Sequence, residues 1–522
     1  MSRDGCVRYL NRQGRLTASM PARAYVLTRF AVLRLLALVY AVAFLVLLRQ
    51  GEPLIGRDGL LPAAAYLARV HAALGARAYR ALPTLFWLDC SDATLRAAAW
   101  AGLGLSVAAL LGATNALLQL ALWALYLSFV QVGQLFWGYG WETQLCETGF
   151  LAVFLCPVRT LGPFAGAPPE PVIWLLRWLI ARIMLGAGLI KLRGDPCWRA
   201  LTCLLWHYET QPVPNPVSWL LAAQPRWLAI AGALFNFLVE LVAPWFVFGP
   251  RPARLAAGLL LVTFQLTLIA SGNLAFLNWL TIVPALACFD DAALGRLCPR
   301  RLRAWIAART AAGAPSRAAR AAAWALVAVV AVLSIAPVQN LLSPRQMMNA
   351  SFDPLHLVNT YGAFGTVGRE RDEVILEGTR DAHPGPDTRW AEYELPCKPG
   401  DVRRRPCFIS PYHYRLDWQM WFAAMSSIDR EPWLVHLVFE LLCGNPGVRG
   451  LFAVDPFADA PPRWIRAELY RYRFTRPGDG SPDWWVRTRV GTYLPPVSLD
   501  SPELRAYLRA HGWRDVCASP PG

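Results

Sequence analysis

Three groups of residues have types and spacings suited to chemistry. The first is the run His207-Tyr208-Glu209-Thr210-Gln211-Pro212-Val213-Pro214-Asn215-Pro216. Its three prolines fix their own φ and bias the residues before them to extended geometry. The run predicts a stiff strap that holds His207, Tyr208, Glu209, Gln211 and Asn215 outward. It reads either as a recognition or catalytic strap or as a rigid connector; His207 and Glu209 have the types of an acid–base pair, at a spacing that specifies little. The second group is a set of charges inside apolar runs: Glu142, Glu147, Arg177, Arg182, Lys191 and Glu240, the last near Asn236. Charges in such runs face the interior and find partners. They form either a polar pocket for a lipid or quinone headgroup, or ion pairs that fix helix packing. The third group is Arg415 to Phe422, where Trp418, Trp421 and Phe422 share a helical face. With Arg415 and Asp417 they make either a core helix or an exposed apolar docking face.

Other chemistry is thinly represented. Of the 12 cysteines, Cys397 and Cys407 flank a turn, and Cys197 and Cys203 are close in sequence. Each pair is a candidate disulfide or two buried, inert thiols. No Gly-x-Ser-x-Gly elbow, HExxH, Walker A or dinucleotide fingerprint occurs. Tyr412-His413-Tyr414 stands apart from other ligands. No metal, no cofactor and no catalytic residues are expected.

The elements that must position these groups follow from composition. Hydrophobic residues make up 55% of the 522, with a mean hydropathy of +0.32; a soluble domain sits nearer 45–50%, roughly. The excess lies before residue 340. A span needs about 20 apolar residues, and nine runs qualify, near 30–48, 95–112, 115–136, 144–158, 172–192, 227–248, 253–270, 273–289 and 320–338. The net charge of +16 resides in loops beside these runs, where the positive-inside rule puts it. No nucleic-acid motif accompanies it, so nucleic acid is not an expected partner and membrane lipids are. A basic N-terminus and a basic loop at 290–319 both fall inside when nine spans are counted. The segments 49–94, 193–226 and everything after Gln339 then share the outer side. The first apolar run reads as a retained anchor rather than a cleaved signal. Only Lys191 and Lys398 are lysines, and with abundant Ala, Gly and Pro this points to a GC-rich, bacterial source.

The fold class expected is therefore a polytopic α-helical membrane bundle of about nine spans followed by a β-rich α+β extramembrane domain. Its parts are a cytoplasmic tail 1–29, the membrane domain 30–340, an extracytoplasmic domain 341–516 and a tail 517–522. Strands are predicted at 373–378, 390–395, 469–474 and 484–490, with a helical stretch from 418 to 443.

Several long motifs resemble those of the lipase maturation factor family. They are Gly186 to Trp198 continuing through His207 to Pro216, Pro53 to Pro62, Trp141 to Phe150, Leu357 to Gly365, Arg415 to Phe422 and Leu469 to Thr475. The likeness runs over about 50–515. It implies a membrane-anchored factor that assists folding and assembly of secreted lipases or related exported enzymes, with a client lipase as partner and no catalysis of its own. It implies the endoplasmic reticulum membrane for eukaryotic members, and the inner membrane for a bacterial one. On this reading Arg415, Asp417, Trp418, Trp421 and Phe422 become a candidate client-binding face. The alternative is a membrane-embedded enzyme whose architecture is similar to the membrane domain of the vitamin K-dependent carboxylase. It would gather Glu142, Arg182, Lys191 and His207 in one polar pocket.

Overall fold

The structure, a computed structural model, describes residues 25–310 and 314–517. Most of the expected N-terminal tail and the last five residues lie outside the described residues. Each of the nine apolar runs is helical: α1 (Val26–Ile55), α3 (Asp92–Leu111), α4 (Ala116–Val132), α5 (Gly140–Leu155), α6 (Glu170–Arg193), α9 (Arg226–Phe246), α10 (Arg251–Ser271), α11 (Leu277–Cys288) and α14 (Arg317–Leu342). Between them lie α2 (Ala63–Leu74), α7 (Leu204–Thr210), α8 (Pro216–Ala222), α12 (Asp291–Leu297) and α13 (Arg300–Arg309).

Length and composition do not confirm the expected count of nine spans. Among the described residues six helices are long and apolar enough to cross a membrane: α1, α3, α6, α9, α10 and α14. A seventh arises only if α11 and α12, bent by 118°, are one span. Helix α4 has 17 residues and α5 has 16, the latter carrying both Glu142 and Glu147. Apolar runs mark helices well, but Gly133 and Gly138 bracket a short turn that cuts the third run short.

Helix α1 has 30 residues, about 45 Å at 1.5 Å per residue, and it organises both ends of the molecule. At its start, the Asp291 carboxylate accepts the N–H groups of Val26 at 2.9 Å and Leu27 at 2.8 Å. An anion there satisfies groups that no helix can pair internally. Near its other end, Gln50 donates to the His413 carbonyl at 2.7 Å and accepts the Arg415 N–H at 2.9 Å. The C-terminal domain is thus held at the far end of α1.

That domain contains a four-stranded antiparallel sheet in the order β2-β1-β3-β4: β1 (Arg371–Thr379), β2 (Ala391–Glu392), β3 (Trp464–Phe474) and β4 (Trp485–Val497). The expected helical stretch is two helices, α15 (Arg415–Ala423) and α16 (Pro432–Leu442), because Pro432 starts the second; α17 (Pro502–Ala510) follows the sheet. Cys443 is joined to Cys517, so the start of the expected loose tail is tethered. One hydrophobic cluster runs without a break from the bundle, through Tyr40 and Leu145, into Trp418, Trp433 and Ile465. The bundle and the C-terminal domain share a core.

The segment 357–365 reaches this core along a glycine face of α6. A Cβ on Gly186 would lie 2.2 Å from the Tyr361 carbonyl oxygen, whereas one on Gly104 would meet nothing within 4 Å. Gly186→Val is expected to cost about 1–3 kcal/mol and to lower the melting temperature of the detergent-purified chain, while Gly104→Ala leaves it within a degree or two; differential scanning fluorimetry reads both.

Candidate functional site

The charges expected inside the bundle do not form one pocket. They separate into three buried pairs. Glu147 on α5 receives Arg182 from α6, the Asn359 N–H at 3.1 Å and the Tyr361 hydroxyl at 2.7 Å. Arg182 also donates to the Asn359 carbonyl at 2.7 Å. Lys191 on α6 pairs with Glu240 on α9, which accepts from Asn236 at 2.7 Å. Glu240 sits in a π-helical turn, Leu238–Val242. Glu142 on α5 receives the Tyr126 hydroxyl and, at 2.9 Å, Arg415 of the C-terminal domain. Both side chains of that last pair are fully buried. Among the described residues Arg177 pairs with no carboxylate; it donates to the Ala287 carbonyl and the Tyr25 hydroxyl, both at 2.9 Å.

Of the two readings of α15, a core helix or an exposed docking face, its side chains follow the first for all but Phe422. Arg415, Asp417 and Trp418 are buried, Trp421 is half-buried, and only Phe422 is exposed. Arg415 faces the bundle, its guanidinium 3.9 Å from the Trp137 ring centre. Trp418 packs edge-on against Trp141 and Tyr139. Trp421 donates its ring N–H to the Thr210 carbonyl at 3.0 Å. Asp417 accepts the N–H groups of Cys397 and Lys398, each at 2.7 Å. A helix with that many aromatics is attracted to any apolar surface, and the nearest is the start of α5.

The proline-rich run is likewise buried, not held outward. Residues 204–210 form α7 and α8 starts at Pro216, so the non-helical strap is only Gln211 to Asn215. His207, Gln211 and Asn215 are buried; Tyr208 and Glu209 are half-buried. Gln211 donates to Ser218 at 2.8 Å and to the Ser271 carbonyl at 2.9 Å, and Asn215 donates to the Ala270 carbonyl at 3.0 Å and caps α8. Amides with that bonding capacity are inexpensive to bury once satisfied. His207 packs edge-on against Phe364, while the Glu209 carboxylate accepts the Phe474 N–H at 2.9 Å. The two therefore serve different neighbours instead of forming an acid–base pair.

Residues not singled out from sequence complete the junction. Arg371 at the head of β1 donates to the carbonyls of Glu209, Gln211 and Pro212, while Glu373 neutralises it and Lys398 alike. Asn273 donates to the Cys407 carbonyl at 2.8 Å and accepts the Ile409 N–H at 3.0 Å. Gln50, Asn359 and Gln419 act similarly. The alternation Arg371-x-Glu373 at a strand start was the available signal for the first; single Asn and Gln residues give none.

Burial dominates the electrostatics of the junction outside the spans. It pushes the Asp417 carboxyl up to about 6, against the pull of its two N–H donors, and lowers the Lys398 ammonium despite Glu373. It lowers His207 to about 4, with Lys191 adding repulsion. His413 lies well below its ordinary value, through burial and then Arg415; neither ring nitrogen has a hydrogen-bond partner. The sulfurs of Cys197 and Cys203 are joined, as are those of Cys397 and Cys407. Asp195 lies beside the first pair but caps the Cys197 N–H at 2.8 Å, so this trio is a fastened turn rather than a set of free ligands. Chemically, the junction is suited to fastening two parts together, and its charged groups are taken up in doing so.

The fold and site define a multi-pass membrane protein whose extramembrane domain is locked onto its helical bundle. The family signature named lipase maturation factor transmembrane domain matches residues 27–296, and the one named lipase maturation factor C-terminal domain matches 357–495. Lipase maturation factor 1 of Bos taurus is 51% identical over 532 residues, covering 96% of this chain and 94% of the relative. The Homo sapiens protein is 49% identical over 530 residues, covering 96% and 93%. Lipase maturation factor 2 of Rattus norvegicus is 31% identical over 619 residues, covering 93% and 85%. No solved structure matches. The chain belongs to the lipase maturation factor family. These relatives are animal proteins, so the compositional pointer to a bacterial source finds no support in them.

His413 supplies a pH test. A histidine kept neutral in the fold stabilises it above the unfolded value, roughly 6.5, and that stability is lost as pH falls toward the lower folded value. Between pH 7.5 and 5.5 the loss attributable to His413 is on the order of 1 kcal/mol. His413→Phe, which keeps the aromatic contacts to Tyr139, Trp141 and Trp418, is expected to remove that share of the acid destabilisation, measured as the difference in melting temperature between the two pH values.

Proposed function

We propose that this chain is a membrane-embedded maturation factor that assists folding and assembly of secreted lipases or related exported enzymes. The observation that carries this reading is the match along nearly the whole chain to proteins named for lipase maturation. The geometry favours a binding factor over a membrane-embedded enzyme. The pocket that the enzyme reading requires is dispersed: Glu142 is committed to Arg415, Arg182 to Glu147, and Lys191 to Glu240, while His207 is buried against Phe364. Of the candidate client face, Phe422 remains open, with Met425 nearby on the chain also exposed, and client contact is best placed there.

The C-terminal domain belongs on the extracytoplasmic side, the lumen of the endoplasmic reticulum for a protein with these relatives. Two features support this. The arginine-rich α13 and the Arg251–Asp290 and Arg254–Asp290 pairs gather at the end where Asp291 holds α1, opposite the end where Gln50 meets the C-terminal domain. Basic residues mark the cytoplasmic face. The C-terminal end also carries the joined cysteines, which persist outside the cytoplasm.

The short helices α4, α5 and α11 then count as crossings, giving nine. Asn115 at the start of α4 binds the Val158 carbonyl beyond the end of α5, whereas Gln131 near the end of α4 binds the Pro354 carbonyl and Glu142 opens α5 at Arg415. Trp279 in α11 binds Ser410, and Ala287 at its end binds Arg177 beside Tyr25. Each helix therefore runs between the same two ends as α1. Short crossings are tolerated where neighbouring helices surround them.

Expression of this chain in animal cells that lack their own lipase maturation factors is expected to restore secreted lipase activity several-fold at unchanged lipase transcript. No restoration, with the chain present at normal level in the endoplasmic reticulum membrane, would count against the reading.

A further inference from the structure

At the basic end of the bundle a groove of about 900 Å³ lies between the starts of α6 and α14. Its walls include Tyr25, Trp174, Phe248 and Trp324, together with the charged Glu170 and Arg320. Tyr25 is packed away, but the other three aromatics are displayed: Trp324 is 63% exposed, Trp174 42% and Phe248 36%. Trp174 and Phe248 stack with ring centres 6.0 Å apart. Both flanking helices are candidate spans, so the groove faces the side of a membrane protein near the level where its helices meet water. Tryptophan favours that level because one edge of the ring is apolar and the other can donate a hydrogen bond.

The charge around the groove is one-sided. Directly behind its wall, Arg177 is buried, with its guanidinium 5.0 Å from the Trp174 ring centre and 5.6 Å from Tyr25. No carboxylate pairs with it among the described residues. Arg29, also buried, is spent on the carbonyls of Pro163 and Ala165, next to the groove residues Ala167 and Pro168. Arg320 and Arg317 stand at the start of α14, and α13 adds four more arginines at the same end. Of the acids here, Asp290 is already paired with Arg251 and Arg254, and Asp291 is used by the start of α1. Among the described residues Glu170 is the acid left at the groove, against two buried cations behind it and Arg320 beside it.

A lateral groove in a membrane is filled by lipid, and this one is apolar along its length with a surplus of positive charge at its headgroup end. We propose that it is a binding site for an anionic glycerophospholipid, an acyl chain lying against Trp174, Phe248 and Trp324 and the headgroup phosphate and carboxylate facing Arg320. Basic pockets between spans on the cytoplasmic side bind acidic headgroups on the same physical grounds. The site is distinct from the junction with the C-terminal domain, and from the Glu142, Glu147 and Glu240 pairs.

The test uses the full chain, purified in detergent and incubated with equal amounts of phosphatidylserine and phosphatidylcholine. Native mass spectrometry reads the lipid retained. Phosphatidylserine is expected to be retained in preference. Arg320→Glu, at an exposed position, is expected to lower its retention roughly tenfold or more, and Trp324→Ala to lower it several-fold. Arg505→Glu in the C-terminal domain, an equal change of charge at a distant exposed site, leaves it unchanged. Equal retention of the two lipids overturns the proposal, as does retention of phosphatidylserine that ignores Arg320→Glu or falls equally with Arg505→Glu. None of these readings depends on a lipase client, so failure here is separable from failure of the maturation function.

Discussion

A carboxylate taken out of water has to be met by a cation and by hydrogen-bond donors, or the fold loses several kcal/mol. Glu142 and Glu147 impose this constraint on α5, and the solution for each reaches into the C-terminal part of the chain. Glu147 is closed by Arg182 together with Asn359 and Tyr361. Glu142 is closed by Arg415, whose own N–H is held by Gln50 of the first helix. The C-terminal domain is therefore not tethered to the bundle by a linker alone. It supplies the counter-charge that lets the bundle bury its acids, and the bundle supplies the aromatic floor of Tyr139 and Trp141 that buries Trp418.

The same principle explains the proline-rich run. Arg371 gathers three carbonyls of that segment, those of Glu209, Gln211 and Pro212, so the strap acts as a washer between sheet and helices. Two of the joined cysteine pairs lie in segments that meet there, Cys197–Cys203 after α6 and Cys397–Cys407 before α15. Function then rests on surfaces away from the seal. A factor that holds unfinished proteins needs a rigid base on which to display its open residues, and this junction provides one.

Much of this architecture was legible in the chain. Apolar runs marked nine helices, and alternating residues marked the strands around Glu373, Leu469 and Trp485. The helices at 116–132 and 140–155 were harder, because their length and not their composition separates them from standard spans. The site was legible by type but not by partner. Sequence shows that Glu142 must be neutralised; it cannot show that the cation lies 273 residues away on Arg415. The aromatic spacing of Trp418, Trp421 and Phe422 was read correctly as one helix, yet whether such a face meets solvent or a bundle is decided by what lies opposite. The outward strap failed for a related reason. Proline stiffness sets the backbone of Gln211 to Asn215, while the placement of their side chains depends on Ser218, Ala270 and Ser271, which the local run does not contain.

The central claim is that the buried Glu142–Arg415 pair couples the two parts into one folding unit. A double-mutant cycle on the detergent-purified full chain tests it, with Glu142→Gln, Arg415→Met and the double variant followed by denaturant or thermal unfolding. The account predicts that each single change costs about 3–5 kcal/mol. The double variant should cost clearly less than their sum, leaving a coupling energy near the upper end of roughly 0.5–3 kcal/mol. Strict additivity, or single changes that leave the C-terminal domain as stable as before, would contradict it.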